Sequence, residues 1–272
     1  MLNIVPKIDE NQYIGEQEFL KYIKDKVEIQ LLNANFLVGF ESVKYIYSKL
    51  PELKYIVLHL PERYVDIGFL HSSYKYEMQF IKLIVECIKY TFDKDLSIDI
   101  LFHGRMNYTA FEDLGGLEFL DYITKLVRDT NVGFLIENSL LDTCIKSYDR
   151  DTVVKILDNF KSDKLSMCLD ICHLQASESY MKFNIPLTKE QIKRIKNIHF
   201  SMTVDNDGYI DKERTHGRVH NSIESLKNDL KYLEDKGIKL KKVNIVTEIN
   251  EEDYQYRPDM VKELKLFDSI IV

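Results

Sequence analysis

The chain has no excess of positive charge. Its 272 residues carry 37 Lys and Arg against 44 Asp and Glu, a formal net charge of −7. A broad basic footprint for nucleic-acid phosphates is therefore absent, although a local patch or bound cations would still hold a phosphate. Long hydrophobic runs are missing too, and the longest fall far short of the ~20 residues of a membrane span. "MLNIVPKIDE" has no basic segment followed by an apolar core, so no secretory signal is expected there. Cysteine is scarce: Cys87, Cys144, Cys168 and Cys172 are scattered and form no C-x-x-C pair. They read as buried thiols in a reducing cytoplasm, not as disulfides or a zinc knuckle. With 10 Gly and 5 Pro there is no linker rich in Pro, Gly or Ser, no low-complexity tract and no clear repeat. The expectation is one cytoplasmic domain spanning 1–272, not bound to a membrane.

What is present is ordinary in bulk, 45% hydrophobic and 30% charged, and informative in order. Eight strand-like runs alternate with helical patterns. The runs are "LNIVPKI" (2–8), "VEIQLL" (27–32), "YIVLHL" (55–60), "SIDILFHG" (97–104), "VGFLIENS" (132–139), "LSMCLDIC" (165–172), "IKNIHFSM" (195–202) and "VNIVTEI" (243–249). Helical periodicity marks "EQEFLKYIK", "SVKYIYSKL", "YEMQFIKLIVECIKYTF", "LEFLDYITKLVRDT", "DTVVKILDNFKS", "TKEQIKRI", "SIESLKNDLKYLEDKG" with Gly237 as its C-cap, and "PDMVKELKLFDSII" from Pro258. Eight such units in a chain of this length predict an α/β protein, a (β/α)8 TIM barrel. An open doubly wound sheet would call for a Gly-rich turn after strand one, and "NIVPKIDENQ" has none.

Barrel active sites lie at the C-terminal ends of the strands. Here those ends carry His59, His103, Glu137, Asp170 with His173 just beyond, His199 and Glu248. The segment after strand seven, "DKERTHGRVHNS", adds His216 and His220, so six of the seven histidines sit at or just after a strand end. A lone His there is more often a hydrogen-bonded core residue than a ligand. A row of converging carboxylates is harder to explain without a shared cation, because each would lose hydration and repel the next. Imidazoles mixed with carboxylates suit zinc, manganese or iron better than an all-oxygen calcium cage.

These residues resemble the xylose-isomerase-like TIM barrels, and within them the endonuclease IV (AP endonuclease family 2) branch. "CLDICH" is similar to that branch's strand-six Cys-x-Asp-x-x-His, "LIENS" to its strand-five Glu-Asn, and "FHG" to its strand-four His-Pro-Gly. "NIHFSM" and "IVTEI" resemble its strand-seven His and strand-eight Glu. The resemblance covers residues 55 to 250. It implies zinc, two or three ions, with manganese or magnesium as alternatives. One ion would take His59, His103 and Glu137. A second would share Glu137 and take Asp170, His199 and Glu248. A third would use His173 with an Asp-x-His pair after strand seven.

The chain departs from the pattern there, because Arg214 precedes His216 and Arg218 precedes His220 where Asp is expected. His216 is the favoured loop ligand, Asp205, Asp207 or Asp211 would have to replace the missing Asp, and an arginine would otherwise bind a substrate anion. After strand two, "NANFLVGFES" has no Lys or Arg. Its Phe36, Leu37 and Val38 either wall an apolar pocket or pack on a helix. After strand three, Arg63 and Tyr64 are candidate substrate contacts, with Tyr74 and Tyr76 as stacking faces.

Two enzymatic readings follow. The first is a metal-dependent hydrolase of a phosphate ester, either an abasic-site phosphodiester in damaged DNA or a small phosphorylated or sugar-derived molecule. Glu137, Glu248 and His173 would be its catalytic groups and Arg63, Tyr64, Arg214, Arg218 and His220 its substrate contacts. The second is a sugar isomerase or epimerase using one Mn²⁺ or Mg²⁺ on Glu137, Asp170, His199 and Glu248. A third reading is an inactive barrel kept as a binding module.

Overall fold

In a computed structural model the described residues are 2–33, 35–61, 74–104, 108–113, 115–138, 152–182, 184, 186–203 and 217–271. Eight parallel strands close into a barrel in chain order, β1 to β8, with β1 hydrogen-bonded to β8. They are β1 Asn3–Asp9, β2 Lys26–Gln30, β3 Tyr55–His59, β4 Ser97–Gly104, β5 Val132–Asn138, β6 Leu165–Asp170, β7 Ile195–Phe200 and β8 Asn244–Thr247. The helices are α1 Phe36–Lys49, α2 Lys75–Thr91, α3 Tyr108–Asp113, α4 Gly116–Leu126, α5 Thr152–Asn159, α6 Ile171–Met181, α7 Lys189–Arg194, α8 Ile223–Asp235 and α9 Pro258–Ile271. This is the (β/α)8 barrel expected from the alternation of patterns. No helix among the described residues is long and apolar enough to cross a membrane.

The main core lies between strands and helices. Phe102, Phe119, Phe134, Ile198, Phe200 and Phe267 are fully enclosed in it. The barrel interior is separate and smaller: Tyr55, Val57, Leu101, Leu135 and Cys168 form its apolar layer. Below them, the Tyr55 hydroxyl donates to Asp99 Oδ2 at 2.5 Å, Lys196 Nζ lies 2.6 Å from the same oxygen, and Asn244 Nδ2 donates to Asn197 Oδ1. Asp99 stands beside Gly133 in the β4–β5 register, and a Cβ on Gly133 would fall 2.5 Å from Asp99 Oδ1. Glycine is what lets a carboxylate sit inside the barrel there.

Above the apolar layer, the two-residue period brings Lys7, Glu28, His59, His103, Glu137, Asp170 and His199 to the same mouth. A register shift between Met167 and Cys168 matters for this. Met167 pairs with Ile195, an offset that would set Asp170 beside outward-facing Ile198; the shift sets it beside His199 instead. One inserted residue therefore keeps both side chains inside.

Several boundaries differ from expectation. "EQEFLKYIK" yields only a 3-10 turn, Glu18–Tyr22, with Phe19 buried. Phe36–Val38 are the first turn of α1, capped by Asn35 Oδ1, with Phe36 buried against Phe40 and Phe80 and Leu37 and Val38 exposed. Phe36 alone packs, on Phe40 of its own helix and Phe80 of α2, while Leu37 and Val38 face outward. Tyr74 is likewise core, stacked 5.1 Å from Phe119, while Tyr76 is exposed. Strand six ends at Asp170, and α6, unexpected from the sequence, starts at the next residue. Gly237 does close α8, at φ +89°, with Ile238 N donating to Leu233 O.

Candidate metal centre

The end of β6 explains how one short motif serves two purposes. Asp170 Oδ1 accepts from the backbone N–H of His173 at 2.7 Å, so the carboxylate caps the helix it leads into. Asn138, at the end of β5, grips the same turn: its Oδ1 accepts from Asp170 N at 2.7 Å and its Nδ2 donates to Asp170 O. The Asn138 carbonyl lies 2.7 Å from His173 Nδ1. A carbonyl only accepts, so Nδ1 carries the ring proton and Nε2 carries the lone pair. The Glu-Asn pair thus supplies a carboxylate to the mouth and an amide that orients the next strand's residues.

Glu137 is the hub. Its Oε2 lies 3.7 Å from His59 Nε2 and 3.5 Å from His103 Nε2, and the two imidazole nitrogens are 3.4 Å apart. Its Oε1 lies 3.4 Å from His199 Nδ1, which in turn is 2.8 Å from Glu248 Oε2. Two donor groups result, His59–His103–Glu137 and Glu137–Asp170–His199–Glu248, each within 4.8 Å across its ligand atoms. A cation with N and O donors at 2.0–2.1 Å in a tetrahedral array separates those donors by about 3.3 Å. The His59–His103–Glu137 triangle is close to one face of that figure. Glu137 Oε2 is buried with no hydrogen-bond partner, and His199 Nδ1, close as it is to Glu248, makes no hydrogen bond of acceptable direction. Groups left so in the interior fit a divalent cation better than they fit each other.

Electrostatics point the same way. Burial disfavours charge on Glu137, yet His199, His103 and His59 hold its carboxyl well below the usual range. Burial pushes His103 down to about 4, leaving a neutral imidazole to act as a donor. Burial also lowers His59, assisted by the Lys7 ammonium. His199 moves the other way: burial opposes its imidazolium, but Cys168, Glu248, Glu28 and Glu137 raise it well above the ordinary value. Burial pushes the Cys168 thiol up to about 12, so at neutral pH it offers no thiolate to a cation.

Of the residues named from the sequence, His59, His103, Glu137, Asp170, His173, His199 and Glu248 come together. His220 does not. Its ring stacks on Phe200, which faces the helices, with Nδ1 2.6 Å from Glu263 Oε1 and Nε2 2.9 Å from Asp229 Oδ2. Both nitrogens are occupied in tying α8 and α9 to the barrel, which leaves none for a substrate. Arg218 is exposed and bridges to Met202. Arg63, Tyr64, Arg214 and His216 lie outside the described residues, as do Cys144, Asp205, Asp207 and Asp211.

Two site residues escaped the sequence reading, Lys7 and Glu28, register partners on β1 and β2. The available signal was a charge set between apolar neighbours in each strand, "VPKI" and "KVEIQ". Lys7 Nζ lies 2.5 Å from Glu248 Oε1, 3.0 Å from His59 Nδ1 and 3.4 Å from Glu28 Oε1. Burial opposes its charge, but Glu248, Glu28 and Glu137 keep its pKa above the ordinary value. Beside Lys7 and Glu248 opens a cavity of about 490 Å³, reached also by Asp9, Gln30, Asn250 and Arg257.

Over its whole length the chain superposes on a D-tagatose 3-epimerase-like protein at TM-score 0.60 and 17% identity, spanning 97% of that chain. It matches endonuclease IV from Thermus thermophilus at 0.59 and 14%, covering 98% of this chain and 99% of that one. It matches a xylose isomerase domain protein from Planctomyces limnophilus at 0.62 and 10%, covering 99% and 96%. Its structural neighbours are xylose isomerase-like TIM barrels. The neighbours include epimerases and an endonuclease, and at these identities the likeness is one of fold. No family model and no curated sequence matches the chain.

Proposed function

We propose that the protein is a divalent-metal-dependent hydrolase of a phosphate ester. The observation that carries this reading is the sharing of Glu137 between two adjacent donor groups, with the imidazoles of His59 and His103 completing the second group. A one-cation sugar enzyme has no use for that second group. Zinc matches the donor set and the spacing of the triangle. Two bound cations would supply hydroxide near neutral pH and stabilise the attacking and leaving oxygens.

The chain's own residues have distinct tasks in this scheme. Glu137 turns one carboxylate oxygen to each donor group. Asp170 and Glu248 flank His199. His173, oriented by the Asn138 carbonyl, presents Nε2 as a proton acceptor and, once protonated, as a donor to phosphate. The cavity beside Lys7 and Glu248 has room for a small substrate, and the net charge of −7 disfavours duplex DNA. A small phosphorylated or sugar-derived ester is therefore the preferred substrate class, with Arg63, Tyr64, Arg214 and Arg218 as its proposed contacts and His216 as a proposed ligand of a further cation. Four carboxylates against the Lys7 ammonium leave the mouth strongly negative. Two divalent ions turn that balance positive and favour an anionic ester.

The second reading is a single-metal ketose isomerase or epimerase, favoured by the self-sufficient Glu137–Asp170–His199–Glu248 group. One ion leaves the mouth negative and suits a neutral sugar. Elemental analysis of protein purified without chelator, together with assays on a phosphodiester chromogen, an abasic oligonucleotide and a ketose panel, separates the two. Two ions per chain with phosphodiester cleavage are expected. One ion with ketose epimerisation and no cleavage would overturn the hydrolase in favour of the sugar enzyme.

A further inference from the structure

All the donors of the two groups come from β3 to β7 or from the residue after β8. Strands β1 and β2 contribute none, yet each sends a buried charge into the mouth. Glu28 has no exposed surface. Its Oε1 lies 2.9 Å from both His59 Nδ1 and His199 Nε2, and its Oε2 lies 3.1 Å from His199 Nε2. These are the ring nitrogens on the far side from Glu137, which faces His59 Nε2 and His199 Nδ1. One carboxylate therefore touches both histidines, on opposite sides of the hub, each by the nitrogen that a cation would not use.

Glu28, His59 and His199 lie close enough to be a cation site in their own right. Lys7 excludes this. Its ammonium already stands 3.4 Å from Glu28 Oε1 and 3.0 Å from His59 Nδ1, and a divalent ion placed there would face a like charge at contact distance in a water-poor interior. Lys7 also raises a choice of proton. An ammonium only donates, so if it held His59 Nδ1 the ring proton would be forced onto Nε2 and would point at His103 and Glu137. If Glu28 holds Nδ1, that nitrogen carries the proton and Nε2 keeps its lone pair. The Lys7 ammonium can aim its three N–H bonds at Glu248 and Glu28 and away from the ring, whereas the Glu28 oxygen 2.9 Å from His59 Nδ1 only accepts, so a proton on Nδ1 is the arrangement without an acceptor–acceptor contact. Ring nitrogens of ligand histidines characteristically donate to a carboxylate in this manner, which fixes tautomer and ring orientation.

We infer that Glu28 is a positioning residue whose single carboxylate accepts the far-side ring protons of both His59 and His199, and so sets which nitrogen of each ring faces the metal groups. Its consequence for cation binding rests on the metal reading above; the proton assignment does not. His103 offers the contrast: its Nδ1 is buried with no hydrogen-bond partner among the described residues.

The test is ¹⁵N NMR of histidine-labelled, metal-free protein, followed by zinc titration of wild type and Glu28→Gln. Wild type is expected to show slowly exchanging protons on His59 Nδ1 and His199 Nε2. In Glu28→Gln one of the two oxygens becomes an N–H donor, and both stand within 3.1 Å of His199 Nε2, so the proton on that nitrogen is lost. Zinc affinity then falls about 10–100-fold, with the far-UV circular dichroism unchanged. A His59 proton on Nε2 in wild type, or wild-type ring protons and zinc affinity in Glu28→Gln, would overturn the inference. If Glu28→Gln does not fold, the wild-type spectrum alone decides. A wild-type protein that takes up no zinc but shows both ring protons as stated sustains the Glu28 assignment and sinks the metal reading instead.

Discussion

Lys7 and Glu248 close the barrel mouth from opposite ends of the chain, Nζ 2.5 Å from Oε1 across the β1–β8 seam. The pair holds one oxygen of Glu248 and leaves the other beside His199. The same ammonium offsets part of the negative charge of Glu28, Glu137, Asp170 and Glu248 when no cation is bound. Lys7→Met removes that compensation. Breaking a buried ion pair on one side costs about 3–5 kcal/mol, so the chelated variant should melt well below wild type. Added zinc should then raise its melting temperature by more than it raises that of wild type. Equal zinc-induced shifts in the two proteins would show that Lys7 does not share the cation's electrostatic role.

Glu137 and Asp170 should be indispensable to activity and dispensable to folding. Glu137→Gln and Asp170→Asn keep shape and volume and remove a charge. Losing a ligand outright should exceed the roughly 10–100-fold loss that follows removal of a ligand's hydrogen-bonding partner. Turnover should become undetectable, with bound metal below wild type and near-wild-type circular dichroism. Normal metal content and turnover in either variant would refute the assignment of the centre.

His220 carries a pH signature of its own. Burial lowers its pKa, but Asp229 and Glu263 outweigh this and raise it to about 9, against about 6.5 in the unfolded chain. The sign follows from the raised value: its contribution is complete below about pH 6.5 and fades as pH climbs through 9. Urea-unfolding free energies should therefore decline over that interval in wild type. His220→Gln should be less stable at pH 6 by on the order of 2 kcal/mol and should lack most of the decline. A parallel pH profile in the variant would contradict the pairing. Catalytic pH dependence should be unaltered.

Gly133→Ala probes the floor of the barrel. The new methyl would meet Asp99 Oδ1 at 2.5 Å, and Asp99 is held by Tyr55 and Lys196. Overpacking of this kind costs about 1–3 kcal/mol. Equilibrium unfolding should show that loss, with metal content unchanged because the donors lie a layer higher. A variant as stable as wild type would mean that the floor yields more readily than these contacts imply.

Much of this molecule was legible along the chain. Eight apolar runs separated by helical periodicity suffice for the barrel, because each strand buries both faces and each helix only one. His59, His103, Glu137, Asp170, His199 and Glu248 stood out because polar groups at the ends of otherwise apolar strands need a reason. What the chain could not disclose depends on neighbours distant in sequence. Glu28 and Lys7 sit mid-strand, and their meaning arises only when closure sets β1 against β8 and the register points them at Glu248, His59 and His199. His220 shows the reverse. Its place just after a strand-end loop suggested a substrate contact, and only the packing of α8 and α9 revealed Asp229 and Glu263 on its ring. Residue type and period determined the architecture and the chemical character of its mouth. Which nitrogen meets which carboxylate was decided in three dimensions, where a single inserted residue between β6 and β7 is enough to place Asp170 beside His199 and not beside Ile198.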